Sequence, residues 1–295
     1  MNIAITGSNG NLGSVLSQSF QHSKYNIHII PSQFYRPSPQ VKEIETFLKN
    51  NKISTLIHCA GYTNVDAAQS NREEAYNSNV LLTKLLQEIS IKLEIKFVFI
   101  SSTGVYGSRS YSDDGLNAET DETKPLNYYH ETKLEAEKIV TSLSSESLIL
   151  RVGWLFGSAS NSGKDFVLAR VQEMANLSTH DEYYSNEEQI GSPTSSNFVF
   201  KSLEQMLAVN ASGVINCVNE GPVSRFDFVH EIKEACGFKF NLIPKPNSFF
   251  SRDVEVPSNE TGDVSILKNY VKTSHWSHYL VEYCKELRNN SWRLA

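Results

Sequence analysis

A doubly wound parallel α/β sheet (a Rossmann arrangement) with a smaller C-terminal substrate-binding lobe is what this sequence predicts, on three observations. Short apolar runs of strand length alternate with amphipathic helical stretches through the first half of the chain. The opening run, I-A-I-T, passes straight into a glycine turn and then into a helical pattern. After Gly153 the alternation loosens into scattered helices and short strands.

Taken in order, strands are expected over 3–6, 27–30, 55–59, 97–101 and 148–152. Leu12, Val15, Leu16 and Phe20 mark one intervening helix face, and Val80, Leu81, Lys84, Leu85 and Glu88 belong to another amphipathic stretch. Further helices are expected over 166–174, 197–207, 224–235 and 276–288, and the segments 180–188 and 240–257 read as pieces of the second lobe. Residues 1–155 therefore read as the dinucleotide-binding domain, with a later return near 189–220, and 156–295 mainly as the substrate lobe.

The 295 residues are 40% hydrophobic and 20% charged, ordinary for a globular protein with a sizeable core. A net charge of −6 without a Lys/Arg cluster argues against a nucleic-acid partner. No apolar run is long enough to span a bilayer, and M-N-I-A-I-T-G lacks the basic segment and apolar core of a signal peptide, so a cytoplasmic location is expected. Cys59, Cys217, Cys236 and Cys284 are far apart and lack metal-ligand spacing, so free thiols and no metal are expected. A homodimer is left open.

The turn T-G-S-N-G-N-L-G places Gly7, Gly10 and Gly13 three apart. Glycine lets the backbone turn sharply, approach a pyrophosphate and pack the following helix closely, and the helix N-terminus offers free N–H groups to the phosphate. Alone the spacing is weak; between an opening strand and an amphipathic helix it points to dinucleotide binding through Gly7, Asn9, Gly10, Asn11, Leu12 and Gly13. At the end of the second strand, an Asp or Glu would select NAD through the adenosine ribose. None is there, since the first acidic residue of the chain is Glu43. The segment P-S-Q-F-Y-R instead offers Ser32, Gln33 and Arg36 to a 2′-phosphate, which tilts the cofactor to NADP (NADPH), with NAD the alternative.

In N-Y-Y-H-E-T-K, Tyr129 and Lys133 are four apart and share a helix face, whereas Tyr128 points elsewhere. An ammonium near a phenol favours the phenolate, so the pair is suited to proton transfer. Tyr-x-x-x-Lys arises by chance about once in a chain of this composition, so it needs context. The fourth strand supplies it. S-S-T-G-V-Y-G follows that strand at the carboxyl end of the sheet, where ligands bind, so Ser101, Ser102 and Thr103 should face the crevice.

Cofactor turn, hydroxyl donor and Tyr–Lys pair together resemble the extended short-chain dehydrogenase/reductase family. The residues 119–138, E-T-D-E-T-K-P-L-N-Y-Y-H-E-T-K-L-E-A-E-K, are most similar to the nucleotide-sugar reductase group typified by dTDP-4-dehydrorhamnose reductase. H-C-A-G-Y-T-N-V-D, the Asn79-Val80 pair, R-V-G-W-L-F-G and Q-I-G-S-P-T match it in the same order, and N-E-T-G-D-V-S-I-L echoes it beyond. The resemblance implies an NADP(H)-dependent reductase of a nucleotide-linked 4-keto-6-deoxyhexose, with Tyr129 as general acid. Lys133 would lower its pKa and hold the nicotinamide ribose, and Thr103 would hydrogen-bond the substrate oxygen. Ala60, Gly61, Tyr62, Asn79 and Ser101 would border the cofactor. Val105, Tyr106, Trp154, Ser192, Pro193 and Thr194 would frame the sugar.

Two departures bear on the hexose: Gly104 stands where the group usually has Asp, and the loop 108–117 is longer than usual. A 4,6-dehydratase is disfavoured, because those relatives place Asp-Glu where this chain has Gly104-Val105. A nucleotide-sugar 4-epimerase and a non-catalytic NADP-binding regulatory subunit remain as alternatives. Among residues read as structural, His58 is expected to be a satisfied core histidine, Arg151 a scaffold residue, and Asp66 a helix N-cap. Trp154 reads equally as a core aromatic between the lobes, and Tyr128 as a packing residue.

Overall fold

A computed structural model describes residues 1–108, 115–158 and 165–289. Its strands, in chain order, are β1 (Asn2–Thr6), β2 (Asn26–Ile29), β3 (Thr55–His58), β4 (Lys96–Ser102), β5 (Leu148–Val152), β6 (Trp154–Phe156), β7 (Glu182–Asn186), β8 (Ile190–Gly191), β9 (Pro193–Ser195), β10 (Gly213–Asn216), β11 (Val223–Ser224), β12 (Asn241–Lys245) and β13 (Asn259–Glu260). Six of them form one parallel sheet in the order β2-β1-β3-β4-β5-β10. The chain leaves β1 toward β2 and returns on the other side as β3, so the strand order reverses between β1 and β3. That is where an open α/β sheet makes a ligand crevice beyond its carboxyl ends.

The central strands β1, β3, β4 and β5 are buried on both faces because their side chains alternate between two cores. Ile3, Ile5, Ile57, Val98, Leu148 and Leu150 face Leu12, Leu16 and Phe20 of the helix Asn11–Gln21 and Phe198, Leu203 and Met206 of the helix Ser196–Ala208. Their neighbours Ala4, Leu56, Phe97, Phe99 and Ile149 face the helices Val41–Asn50, Leu82–Lys92 and Tyr128–Leu143. This period of two explains why the strands read as unbroken apolar runs. A third core, built on Trp154, Phe156, Phe228 and Trp276, joins the helices Phe166–Met174, Arg225–Cys236 and Trp276–Asn289. Beside it β7 pairs with β12, so the segments 180–188 and 240–257 do meet.

The expected strands and helices form, with ends displaced by a residue or two. The helix Val41–Asn50 was not legible, because only Ile44 and Leu48 of its ten residues are buried. The stretch around Val80 begins as a π turn, Asn77–Leu81, before the α-helix Leu82–Lys92. Asp66 is not the cap: Asn64 accepts from the Ala67 N–H at 3.0 Å, and Asp66 lies in the first turn that follows. Most of the long loop at 108–117 lies outside the described residues. Among the described residues, no helix is long and apolar enough to cross a membrane.

Candidate active site

The glycine turn owes its composition to contact. Gly7 has φ +72°, and a Cβ there would meet the Ala60 backbone nitrogen at 2.6 Å. A Cβ at Gly13 would lie 2.1 Å from the Gly7 carbonyl oxygen. The turn is closed by Gly10 N–H donating to Gly7 C=O at 3.0 Å, and Gly10 begins the helix Asn11–Gln21 with no side-chain cap. The N-terminal end of that helix, the positive end of its dipole, therefore borders the turn where an anion could sit. Leu12 is buried in the core, so only its backbone can serve the turn, whereas Asn9 is exposed.

Two neighbouring loops close on this turn. Tyr35 accepts from the Gly7 N–H at 3.0 Å, and Arg36, exposed like Ser32, donates to the Gly61 carbonyl at 3.0 Å. The Ala60–Tyr62 segment is held by Asn79, whose Oδ1 accepts from the Tyr62 N–H at 2.7 Å while its Nδ2 donates to Tyr62 C=O at 3.1 Å and to Thr132 Oγ1 at 2.9 Å. Asn79 thus acts on this crevice through the loop it clamps, with its amide taken. His58 is the satisfied core histidine expected: its ring nitrogens meet Thr6 Oγ1 at 2.8 Å and Thr83 Oγ1 at 3.1 Å, and burial pulls its pKa down to about 3.

At the end of β4, Ser101 carries a buried Oγ with no partner among the described residues, and Thr103 Oγ1 has a long contact of 3.5 Å to the Val152 carbonyl. The helix Tyr128–Leu143 starts at Asn127, whose side chain accepts from the His130 N–H, and this cap sets the register of the tyrosines. Tyr128 turns outward, its ring under the Arg72 guanidinium at 4.1 Å. Tyr129 is part-buried against His130, with ring centroids 4.9 Å apart. Lys133 is buried, donates to the Ile100 carbonyl at 2.6 Å and lies 4.0 Å over the Phe99 ring; burial brings its pKa down to about 7.

The expected lowering of the Tyr129 phenol is not what this geometry gives. Burial, and then the Glu260 carboxylate, push it up to about 12, because the Lys133 ammonium sits on the Ile100 carbonyl instead. A raised phenol is a protonated one at neutral pH, which suits a donor.

Of the residues expected to frame the sugar, Trp154 donates from Nε1 to Glu260 at 2.7 Å and carries Arg225 3.5 Å over its ring. Ser192–Thr194 is tied in beside it, since Ser192 C=O accepts from the Trp154 N–H at 2.9 Å and Pro193 pairs with Trp154 in register. Thr194 Oγ1 donates to the Ser192 carbonyl at 2.9 Å. Val105 and Tyr106 are buried, and the Tyr106 hydroxyl is fully engaged: it accepts from Arg151 at 2.9 Å and donates to Asn216 at 2.8 Å. Arg151 is the scaffold residue expected, paired with Glu137 at 2.7 Å. Glu260, Gln189, Arg225 and His130 had no assigned role in the sequence, because their meeting depends on segments brought together from far along the chain; Gln189 and Glu260 are 71 residues apart.

A parallel sheet with a glycine turn at its reversal point and a Tyr-x-x-x-Lys helix beside the β4 end defines a protein of the extended short-chain dehydrogenase/reductase type. The chain belongs to the RmlD substrate binding domain family, whose model matches residues 1–289. It is 30% identical over 241 residues to the dTDP-4-dehydrorhamnose reductase of Mycobacterium tuberculosis (strain CDC 1551 / Oshkosh), covering 80% of this chain and 75% of that protein. A crystal structure of a dTDP-4-dehydrorhamnose reductase from Clostridium acetobutylicum superposes with a TM-score of 0.88 at 26% identity, covering 98% of this chain and all of the other. The fold is shared equally, with a TM-score of 0.88 at 24% identity, by the Bacillus anthracis dTDP-4-dehydrorhamnose reductase in complex with NADP, over 97% of this chain and 99% of that one.

Proposed function

We propose that this chain is an NADPH-dependent reductase of a nucleotide-linked 4-keto-6-deoxyhexose. The observation that carries the reading is that Lys133, on the helix that bears Tyr129, reaches the Ile100 carbonyl of β4, the strand that leads into Thr103, in a family whose relatives are named as reductases of this kind. The turn fits the cofactor: only glycine at 7 and 13 lets it close against the Ala60 backbone and the Gly7 carbonyl, and the Ser101 hydroxyl at the sheet end has no partner among the described residues. Backbone N–H groups of Leu12 and Gly13, in the turn that Gly7, Asn9, Gly10 and Asn11 shape, would hold the pyrophosphate, Ser32 and Arg36 the 2′-phosphate, the Ala60–Tyr62 loop the dinucleotide's flank, and Lys133 the nicotinamide ribose. A solved neighbour with bound NADP supports that choice, and others solved with NAD keep NAD as the alternative.

The nicotinamide supplies the hydride when bound. Tyr129 gives its phenolic proton to the keto oxygen as the hydride reaches the carbon, so the carbonyl becomes an alcohol and a phenolate remains. Thr103 holds that oxygen with a hydrogen bond, and Lys133, one helical turn from Tyr129, stabilises the phenolate on leaving the Ile100 carbonyl, until a solvent proton replaces the one lost. Residues 1–155 serve the cofactor in this scheme, and the lobe around Trp154 and Ser192–Thr194 serves the sugar. The decisive experiment supplies NADPH and a panel of dTDP-, UDP- and GDP-linked 4-keto-6-deoxyhexoses, following absorbance and identifying the product by NMR. An alcohol at C4 with stoichiometric NADPH loss is expected; C4 inversion without net oxidation would instead show a 4-epimerase.

Cofactor choice gives a separate expectation. Arg36→Ala should weaken NADPH binding by roughly 10–100-fold, the loss of a hydrogen bond to a charged group, while barely changing NADH. Titration of both nucleotides reads it out. Equal wild-type affinities that the substitution leaves untouched would mean the Arg36 loop does not meet the 2′ position.

A further inference from the structure

Behind Tyr129 lies a buried polar cluster with no part in the proton transfer just described. Glu260 is its centre. Its Oε2 accepts from Trp154 Nε1 at 2.7 Å and from Gln189 Nε2 at 3.1 Å. Its Oε1 lies 4.0 Å from His130 Nε2, beyond hydrogen-bond reach, and accepts no hydrogen bond from the described residues. Burial pushes its pKa up, against the hydrogen bonds from Trp154 and Gln189 and the charges of Arg225 and Arg252, and in either protonation state its oxygens keep lone pairs to accept with.

Its surroundings hold it rigidly. Asn117 Nδ2 donates to the Thr261 carbonyl at 3.0 Å, Thr261 Oγ1 donates to Asn259 Oδ1 at 2.7 Å, and Gly262 N–H donates to Ser192 Oγ at 3.2 Å. Both neighbours of Glu260 are thereby pinned, and a pinned backbone is what a preorganised recognition group requires. Trp154 is seated equally tightly, since a Cβ at Gly191 would meet its indole at 2.3 Å.

His130 is the second element. A Cβ at position 104 would lie 2.1 Å from His130 Nε2, so the ring occupies space that only Gly104 leaves. His130 is 4% exposed, its Nδ1 is sealed without a partner among the described residues, and burial keeps it neutral, with its pKa lowered to about 3. It therefore does not neutralise Glu260. The positive charge comes from Arg225, stacked on Trp154 at 3.5 Å, with Arg252 contributing from further off. With that charge in place, a neutral hydrogen-bond donor is what Oε1 can still take. Glu260 also lies on the side of the reacting phenol, since His130 stands 4.0 Å from its Oε1 and 4.9 Å, ring to ring, from Tyr129.

We propose that Glu260 is a specificity-determining residue whose Oε1 accepts a hydrogen bond from a ring hydroxyl of the hexose, with the His130 ring, admitted by Gly104, as the wall beside that hydroxyl. The inference rests on the reductase reading for the identity of the sugar. It assigns the departure at Gly104 a purpose: removing a side chain from the turn after Thr103 lets a helix residue shape the sugar site.

The test compares Glu260→Gln with wild type by calorimetry, titrating the pairs dTDP and dTDP-glucose, and UDP and UDP-glucose, in the presence of NADP. Glutamine keeps the shape and can still accept from Trp154 and Gln189 through its carbonyl, with its NH₂ in the place of Oε1. Wild type should bind the hexose-bearing nucleotide more tightly than the bare one, and the variant should lose roughly 10–100-fold on the former while the latter stays within about threefold. Equal losses on both would mean that Glu260 serves only the architecture of the lobe, and no loss on either would mean that the sugar is read elsewhere; each overturns the proposal, as does a wild type indifferent to the hexose. Should the glutamine variant not fold, Glu260→Asp, which withdraws the oxygen by one methylene, is read by the same criteria. Parallel NADPH oxidation by wild type with a dTDP-4-keto-6-deoxyhexose separates the two readings. Absent turnover with the hexose preference intact removes the reductase assignment alone, and turnover with a preference that the variant retains removes this inference alone.

Discussion

Tyr129→Phe is expected to reduce kcat by roughly 10²–10⁴-fold, the usual contribution of a positioned general acid, while leaving NADPH binding close to wild type. Phenylalanine keeps the ring against His130 and removes only the hydroxyl. Tyr128→Phe should be mild, because that ring faces Arg72 on the outer side of the helix. Lys133→Ala should harm both rate and cofactor affinity, since one ammonium is assigned to the phenolate and to the ribose. The measurement is kcat on an accepted 4-keto nucleotide sugar together with an NADPH titration of each variant. A severe Tyr128→Phe beside a mild Tyr129→Phe would reverse the assignment.

Arg151→Met should cost roughly 3–5 kcal/mol of stability, the penalty for leaving one partner of a buried ion pair uncompensated. Arg151 and Glu137 side chains are 6% and 4% exposed, and the guanidinium donates from Nε and Nη2 to both carboxylate oxygens. The same guanidinium bonds the Tyr106 hydroxyl, whose pKa burial pushes up to about 12, and Tyr106 in turn holds Asn216 of β10. Its loss would therefore loosen the join between β5, the helix Tyr128–Leu143 and the edge strand β10. The double variant Glu137→Leu/Arg151→Met, which removes both charges, should recover much of that stability. Urea unfolding midpoints for wild type, single and double variants check this; a single variant within experimental error of wild type would show that the network contributes nothing.

The sequence by itself determined the main sheet, the glycine turn and the register of the Tyr–Lys helix. These features follow from periodicity, from a backbone approach that only glycine allows at Gly7 and Gly13, and from an Asn127 cap close in sequence to the residues it places. They are local, so the sequence displays them. The family resemblance was legible for the same reason, its motifs being contiguous. Only the tertiary structure decided that Asn79 clamps a loop, that the Tyr106 hydroxyl is taken up by Arg151 and Asn216, and that Lys133 rests on the Ile100 carbonyl and leaves the Tyr129 phenol raised. It also decided that Glu260, Gln189, Trp154 and His130 share one site. Each of these depends on which polar groups burial forces together from distant segments. Desolvation, which sets both the hydrogen-bond partners and the direction of the pKa shifts, is a property of the packed molecule and has no pattern along the chain.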